Sequence, residues 1–378
     1  MDKKRILVVA SVSNSLTNFR GDLIKQLIKE DYEVYTAVDS YSDKVLSVLK
    51  TYGVKKTLEY SLQRNGLNPF KDLKTIFNLK KLIKDNKIDL VFPYTVKPVI
   101  YSSIAANMCN VPVISLITGL GFTFSGLTLK AKVLQRLNEF LYKISIRKNK
   151  IVIFQNNDDR ELFFERKILT KKNRTEVVSG SGVNLELFKF RINENTSGTT
   201  SFVIVTRLLK EKGIHLYIEA AKFLKKKYPN TEFHIIGSVQ QSPSAIKTEE
   251  LENLHKNKIV IFHGSQSNIL EHLTKRDVFV LPSYYREGIP RSILEALSVG
   301  LPIITTDAPG CKETVIEGEN GFLIPTQNLD SLTKSMEYFI SNPKRLTEMG
   351  LKSRQYAEKR FDVNIINKNL LTYINDII

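Results

Sequence analysis

Apolar residues in this chain gather in short unbroken runs rather than in alternation, and polar stretches with helical spacing separate the runs. In the first half they are "RILVVAS" (5–11), "YEVYTAV" (32–38), "IDLVFPYT" (88–95), "VPVISLIT" (111–118) and "KIVIFQN" (150–156). Strands apolar on both faces belong to a parallel sheet covered by helices on both sides. The intervening helices are expected near 20–30, 70–86, 98–108, 128–147 and 158–167. The alternation restarts with "FVIVTRL" (202–208), "TEFHIIGS" (231–238), "KIVIFHG" (258–264), "DVFVLPS" (277–283) and "PIITTD" (302–307). Between the two series the polar stretch Asn184–Ser201, with "NENTSGTT", has the composition of an interdomain linker. The pattern predicts an α/β protein of two doubly wound parallel-sheet domains. Such sheets bind ligands outside the carboxyl ends of their strands, so chemistry is expected in the cleft between the domains.

Residues 98–129 carry no charge, but two prolines, three glycines and many hydroxyls and amides argue against a spanning helix. The middle is better described as a buried strand ending in an apolar loop, "TGLGFTFSGLTL". Two cysteines, Cys109 and Cys311, exclude a disulfide framework and a cysteine-rich zinc site, and suit a reducing cytoplasm. "MDKKRILVVAS" runs straight into a strand, so no signal peptide is expected. The net charge of +17 is unevenly spread: residues 1–190 hold 32 Lys+Arg against 18 Asp+Glu, and residues 191–378 hold 24 against 21. A basic half beside a nearly neutral one points to a polyanion or an anionic membrane, and a lysine-rich solvated surface is the plainer reading.

Candidate chemistry concentrates in "FVLPSYYREGIPRSILEA". A helix starting at Pro290 would place donor-rich N–H groups between two acceptors, Glu287 in the loop and Glu295 in the second helical turn. Gly288 permits close backbone approach, and the helix start suits a diphosphate. Carboxylates accept paired hydroxyls, so Glu295 could hold a ribose and Glu287 a sugar ring; local capping or ion pairing is the alternative. "VTRLLKEKG" adds Arg207 and Lys212 after the first strand of the second domain, two cations able to neutralise a departing diphosphate. Neither first strand is followed by a Walker A or GxGxxG sequence.

"R-x4-K-G" followed by "EG-x-P-x4-EA" resembles the retaining family 4 glycosyltransferases, whose architecture is GT-B, two Rossmann-like domains facing a central cleft. The resemblance spans essentially the whole chain. "NFRGDLIKQL", "LNPFKDLK", "TVKPVIYSSIAA", "ITGLGFTF" and "SGVNLELF" look like the branch that adds N-acetylhexosamines to polyprenyl-diphosphate-linked sugars, such as N-acetylgalactosaminyltransferases. The expected domains are 1–188 for the acceptor and 189–361 for the nucleotide-sugar, with a C-terminal helix over about 362–378 packing back on the first.

The resemblance implies Arg207 and Lys212 at the diphosphate, Glu287 at the donor sugar, the amides of Gly288, Ile289, Pro290 and Arg291 as the phosphate-facing stretch (Pro290 having no N–H), and Glu295 at the ribose. His263 and Gly264 would lie near the base, although a lone strand-end histidine without a role is equally open. Where many members have a Gly-Gly pair after the first strand, this chain has "SVSNSLTNFR", which makes Asn14, Asn18 and Arg20 acceptor-side candidates. Where many have a donor-sugar histidine, Thr118-Gly119 stands instead, and Lys97 in "TVKP" is either a replacement contact or a plain helix-start lysine.

No carboxylate pair is placed as a glycosidase requires. The resemblance implies retention of configuration, with Arg207, Lys212 and the helix start stabilising charge on the leaving β-phosphate. No Asp-x-Asp triplet is present, so no metal or other cofactor is expected. The expected partners are a UDP-sugar, with GalNAc or GlcNAc, a polyprenyl-diphosphate-linked saccharide and an anionic membrane surface, on the cytoplasmic face. A sugar-nucleotide epimerase of this fold and a transferase with a soluble acceptor are the alternatives. Nucleic acid is not an expected partner, because no nucleic-acid module is recognisable and the chain has no Trp. Within "TLKAKVLQRLNEFLYKISIRK", Lys132, Arg136, Lys143 and Arg147 share a helical face beside an apolar stripe of Leu129, Val133, Leu137, Phe140 and Ile144. The stripe either meets lipid or packs into the domain core.

Overall fold

A computed structural model describes residues 3–63, 68–121, 124, 129–192, 198–240, 242 and 244–378, the side chains of 129–132 excepted. The chain divides into two compact units, Met1–Ser181 with Val363–Ile378, and Gly182–Asp362.

The first unit runs β1 (Arg5–Val9), α1 (Ser13–Lys29), β2 (Glu33–Val38), α2 (Asp43–Tyr52), β3 (Lys56–Glu59), α3 (Pro69–Asp85), β4 (Leu90–Pro93), α4 (Val96–Asn107), β5 (Ile114–Ile117), α5 (Leu129–Ile146), β6 (Ile151–Phe154), α6 (Asn157–Glu165) and β7 (Thr175–Val177). The strands pair in parallel as β3-β2-β1-β4 and β5-β6-β7, and parallel bridges Val91↔Val113 and Tyr94↔Leu116 join the two sets. All four residues of β4, β5 and β6 are buried, as a sheet covered on both faces requires. One face is covered by α3, α4 and α5, through Leu79, Ile83, Val99, Tyr101, Tyr142 and Ile146. The other is covered by α1 and α2, and the helix spanning Val363–Asn375 joins them through Ile366, Leu370 and Ile374.

The second unit runs β8 (Ser201–Val205), α7 (Ile214–Lys227), β9 (Glu232–Ile236), α8 (Thr248–Lys256), β10 (Ile261–Phe262), α9 (Ile269–Leu273), β11 (Val278–Leu281), α10 (Arg291–Val299), β12 (Ile303–Thr306), β13 (Gly321–Ile324), α11 (Leu329–Ser341) and α12 (Lys344–Arg360); α13 (Val363–Asn375) closes the chain in the first unit. The strand order is β10-β9-β8-β11-β12-β13, all parallel. Strand order reverses at β8/β11 here and at β1/β4 in the first unit, and ligand crevices of open α/β sheets form at such points.

Several expectations differ from what is observed. The domain boundary falls after Ser181 rather than after 188, and the polar stretch 184–201 is not wholly a linker. The Val183 amide donates to the Phe361 carbonyl at 2.8 Å, Phe188 is buried in the second core, and its carbonyl accepts from Ser298 Oγ at 2.6 Å. Residues 193–197 of "NENTSGTT", and 122, 123 and 125–128 of the apolar loop, lie outside the described residues. The helix expected at 20–30 begins at Ser13, because "SNSLTN" is helical despite its polar composition. Pro290 is the N-cap of α10 rather than its first helical residue, so the helix begins one residue later than expected, at Arg291. The stripe on α5 does not pack into the core: Val133, Leu137, Phe140 and Ile144 are exposed, and Tyr142, Ser145 and Ile146 are the buried residues instead. Arg147 is not one of a solvated basic row, since its guanidinium donates to the carbonyls of Ile168 at 2.9 Å and Lys167 at 2.6 Å. Among the described residues no helix is long and apolar enough to cross a membrane.

Candidate active site

Arg207 and Lys212 follow the carboxyl end of β8, and Glu287 follows that of β11, the adjacent strand across the point of order reversal. The chain after β8 turns through a 3₁₀ segment, Lys210–Lys212, and Gly213 ends it with φ +77°. A Cβ on Gly213 would stand 2.1 Å from the Pro282 carbonyl oxygen, so only glycine lets this turn lie against the end of β11. That approach brings Lys212 and Glu287 into a direct ion pair. Both side chains are largely buried, 9% and 12% exposed. Burial of opposite charges is tolerated where hydrogen bonds complete the pair. Ser283 Oγ donates to Glu287 Oε1 at 3.1 Å and itself accepts the Tyr285 amide at 3.2 Å.

The Tyr285 ring lies beside both cations, with Lys212 Nζ 4.4 Å and the Arg207 guanidinium carbon 5.8 Å from its centroid. An aromatic face attracts cations through its quadrupole and holds two like charges near one place. Arg207 is exposed, whereas Lys212 is enclosed. Gly310, with φ +85°, closes the other side: a Cβ there would stand 2.1 Å from the Gly288 carbonyl oxygen. Gly288 and Ile289 are buried beneath that contact.

α10 starts at Arg291 without a side-chain cap. The Ile293 and Leu294 amides donate to the Pro290 carbonyl at 3.0 and 3.3 Å, and the Arg291 and Ser292 N–H groups ahead of them stand at the positive end of a helix dipole that favours anions. Glu295 accepts from Arg291 Nε at 2.8 Å within the same helix. Burial pushes the Glu295 carboxyl above the ordinary range, and Arg291 opposes that shift. A carboxylate with one oxygen engaged keeps acceptor capacity on the other.

His263 follows β10 and is not isolated. Its Nε2 is 2.9 Å from Nδ1 of buried His234, whose Nε2 is 3.0 Å from Glu232 Oε2. Since Glu232 accepts, His234 carries its proton on Nε2, so Nδ1 accepts from His263. His272 packs edge-on against His263 at 4.8 Å. Burial lowers His234 to about 3, assisted by Arg276, His263 and His272. Burial lowers His263 to about 4, assisted by His272, Arg276 and His255. A second proton on His234 would face the His263 N–H, so both rings are held neutral. Stability from neutral rings is complete above the unfolded value of 6.5 and is lost as pH falls towards the folded values near 4 and 3. Thermal melts should therefore show the midpoint falling below about pH 6.5, with a shallower fall in His234→Gln. Parallel profiles for the two proteins would contradict this account. Gly264 follows with φ +67° and open space around its α-carbon.

In the first unit the residues expected on the acceptor side lie at or near the carboxyl edge of its sheet. Asn14 and Asn18 are exposed one turn apart near the start of α1. Arg20 lies on the buried face of that helix, 1% exposed, with its guanidinium carbon 5.4 Å from the Tyr94 ring centroid. It underlies the surface rather than lining it, contrary to expectation. Lys97 opens α4, but its ammonium donates to the Gln63 carbonyl at 2.6 Å and stands 3.6 Å from Asp72. It is committed to its own domain, which favours the structural reading. Thr118 and Gly119 follow β5 directly, Gly119 with φ +100°. Sequence reasoning missed Ser283 and Tyr285, although both stand in the motif it quoted. It also missed Thr95, whose φ of +68° is strained for a β-branched residue and whose Oγ1 lies 3.3 Å from Ser11 Oγ, across β1 and β4. No group of three or more His, Cys, Asp or Glu among the described residues is placed to hold a metal ion.

Comparison with known proteins adds to this geometry. Residues 187–359 match the family described as "Glycosyl transferases group 1", and residues 5–156 match "Glycosyl transferase 4-like". The chain is 29% identical over 388 residues, 99% of each chain, to the N,N'-diacetylbacillosaminyl-diphospho-undecaprenol α-1,3-N-acetylgalactosaminyltransferase of Campylobacter jejuni. It is 29% identical over 287 residues, 73% of this chain and 72% of the relative, to the UDP-Gal:α-D-GlcNAc-diphosphoundecaprenol α-1,3-galactosyltransferase of Escherichia coli. The crystal structure of Anabaena HepE in complex with UDP-glucose is similar in fold, with a TM-score of 0.77 at 18% identity over 98% of this chain and 99% of that one.

Proposed function

Because the chain belongs to the group 1, GT4-like glycosyltransferases and is a hexosyltransferase of GT-B fold, we propose that it moves an N-acetylhexosamine, GalNAc or GlcNAc, from UDP to a polyprenyl-diphosphate-linked saccharide. The product belongs to a bacterial surface polysaccharide or glycoprotein glycan. The observation that carries this reading is the buried Lys212–Glu287 pair with Arg207, gathered on Tyr285 at the β8/β11 switch point. Similarity to the Campylobacter jejuni transferase over the full length supports the acceptor class.

In this reading the diphosphate meets Arg207, Lys212 and the start of α10, Glu295 holds the ribose and Glu287 the sugar. The bond from C1 to the β-phosphate oxygen breaks as the acceptor oxygen attacks C1 from the same face. The acceptor proton passes to the departing phosphate oxygen, and configuration is retained. Charge growing on that phosphate is met by cations already fixed in place, which is where preorganised electrostatics lowers a barrier most. Metal independence follows from that assignment, since the fixed cations occupy the role a divalent ion would take.

The lipid tail of the acceptor stays in the bilayer, so the enzyme works as a peripheral protein at the inner face of the membrane. The basic balance of residues 1–190 supports this placement. The test is UDP release from UDP-GalNAc and UDP-GlcNAc, with and without undecaprenyl-diphosphate-linked saccharide. UDP should appear only with acceptor and persist in excess EDTA. Interconversion of the two donors without acceptor would replace the transferase by an epimerase, and loss of release in EDTA would remove the metal-free mechanism.

A further inference from the structure

We propose that α3 and α5 together form a face that inserts apolar side chains into an anionic lipid surface, an inference that rests on the membrane placement above. On α3, Phe70, Leu73 and Phe77 are 87%, 51% and 51% exposed, at the spacing of a single helical face. The opposite face of α3, with Thr75, Leu79 and Ile83, is buried. On α5 the exposed Val133, Leu137, Phe140 and Ile144 repeat the arrangement. α4 packs against both helices, and the buried sides of all three share one core cluster on one face of the sheet. Both apolar rows thus belong to one helical layer of the first unit, and large exposed apolar areas of this kind mark interaction sites.

Charge decides the partner. Lys71, Lys74, Lys81 and Lys84 are exposed on α3, and Arg136 and Lys143 on α5. Among the acids of these helices Asp72 is 3.6 Å from Lys97 and Glu139 accepts from Gln135 at 2.8 Å, leaving Asp85 at the last residue of α3. Apolar rows flanked by cations fit a lipid interface with anionic headgroups. A second copy docked through the same face would set lysine against lysine.

The chain has no tryptophan, so Phe77→Trp and Phe140→Trp each install a single fluorescent reporter. Phe223→Trp, at an exposed position on α7 of the other unit, is the control. With phosphatidylglycerol vesicles the first two should shift to the blue and be quenched by brominated acyl chains, and the control should do neither. Phosphatidylcholine vesicles should leave all three unchanged. In sedimentation, Phe70→Ser/Leu73→Ser/Phe77→Ser should bind anionic vesicles at least ~10-fold more weakly, since transfer of one large apolar side chain is worth that much. Its UDP affinity by calorimetry should match wild type, which also reports an intact fold. Wild type that sediments with anionic vesicles while both reporters stay unshifted overturns insertion but leaves the membrane placement standing. Wild type that ignores anionic vesicles at low salt overturns both. A blue shift that grows with protein concentration in the absence of lipid assigns the face to self-association and overturns the proposal.

Discussion

Lys212→Ala is expected to lose roughly 100-fold or more in turnover and, unlike Arg207→Ala, to lose stability as well. The difference comes from where each cation sits. Arg207 is exposed and rests beside the Tyr285 ring at 5.8 Å, so its removal leaves no buried charge behind. Lys212 is paired with Glu287 in a largely buried position. Taking one partner from such a pair leaves an uncompensated charge at a cost of about 3–5 kcal/mol, roughly 6–20 °C in a unit of this size. Two functions of Lys212, neutralising Glu287 and stabilising the leaving diphosphate, can be separated. Lys212→Met combined with Glu287→Gln removes both charges, so its melting temperature should recover towards wild type, which isolates the ion-pair role, while turnover stays low because Lys212 and Glu287 are both lost from the donor site. Recovery of turnover in the double variant would show that Lys212 acts only through the fold. Normal turnover in Arg207→Ala together with Lys212→Ala would remove both from the reaction.

The sheets were legible because their central strands are unbroken apolar runs: β1, β4 and β11 each fall inside one of those runs, and β8 does so in all but its first residue, Ser201. β3, β7 and β13 were not, since "KTLE" and "TEV" each hold a single apolar residue among charged and polar ones, and "GFLI" is a short run opened by glycine. Edge strands need only one partner and carry a weak pattern. The site divides in the same way. Arg207, Lys212, Glu287 and Glu295 lie in local motifs whose spacing carries a physical reason. Their mutual contacts do not, because Lys212 meets Glu287 across 75 residues through the turn at Gly213 and the end of β11. The commitment of Lys97 to Asp72, the inward side of Arg20 and the pairing of His263 with His234 are likewise products of packing. A one-residue motif cannot announce them.

Glu295→Ala should weaken UDP itself, whereas Glu287→Ala should leave UDP affinity unchanged or raised and depress turnover. Glu295 is assigned to the ribose, a part of both UDP and the donor, and its loss removes an acceptor for two hydroxyls. It also removes the carboxylate that accepts from Arg291 Nε at 2.8 Å, beside the start of α10. A guanidinium whose charge that carboxylate no longer neutralises would offset part of the loss near phosphates, so Glu295→Ala with Arg291→Ala should bind UDP more weakly than Glu295→Ala alone. Glu287 is assigned to the sugar, which UDP lacks, and its carboxylate otherwise neutralises Lys212. Its removal leaves a cation facing an anionic ligand, which is why affinity for UDP should not fall. Turnover should fall because the sugar loses its hydrogen-bonding partner at the reacting centre. Calorimetry with UDP, followed by turnover at saturating donor, separates the two. Equal losses of UDP affinity in both variants would contradict the division between ribose and sugar, and unimpaired turnover in Glu287→Ala would remove that carboxylate from the donor site.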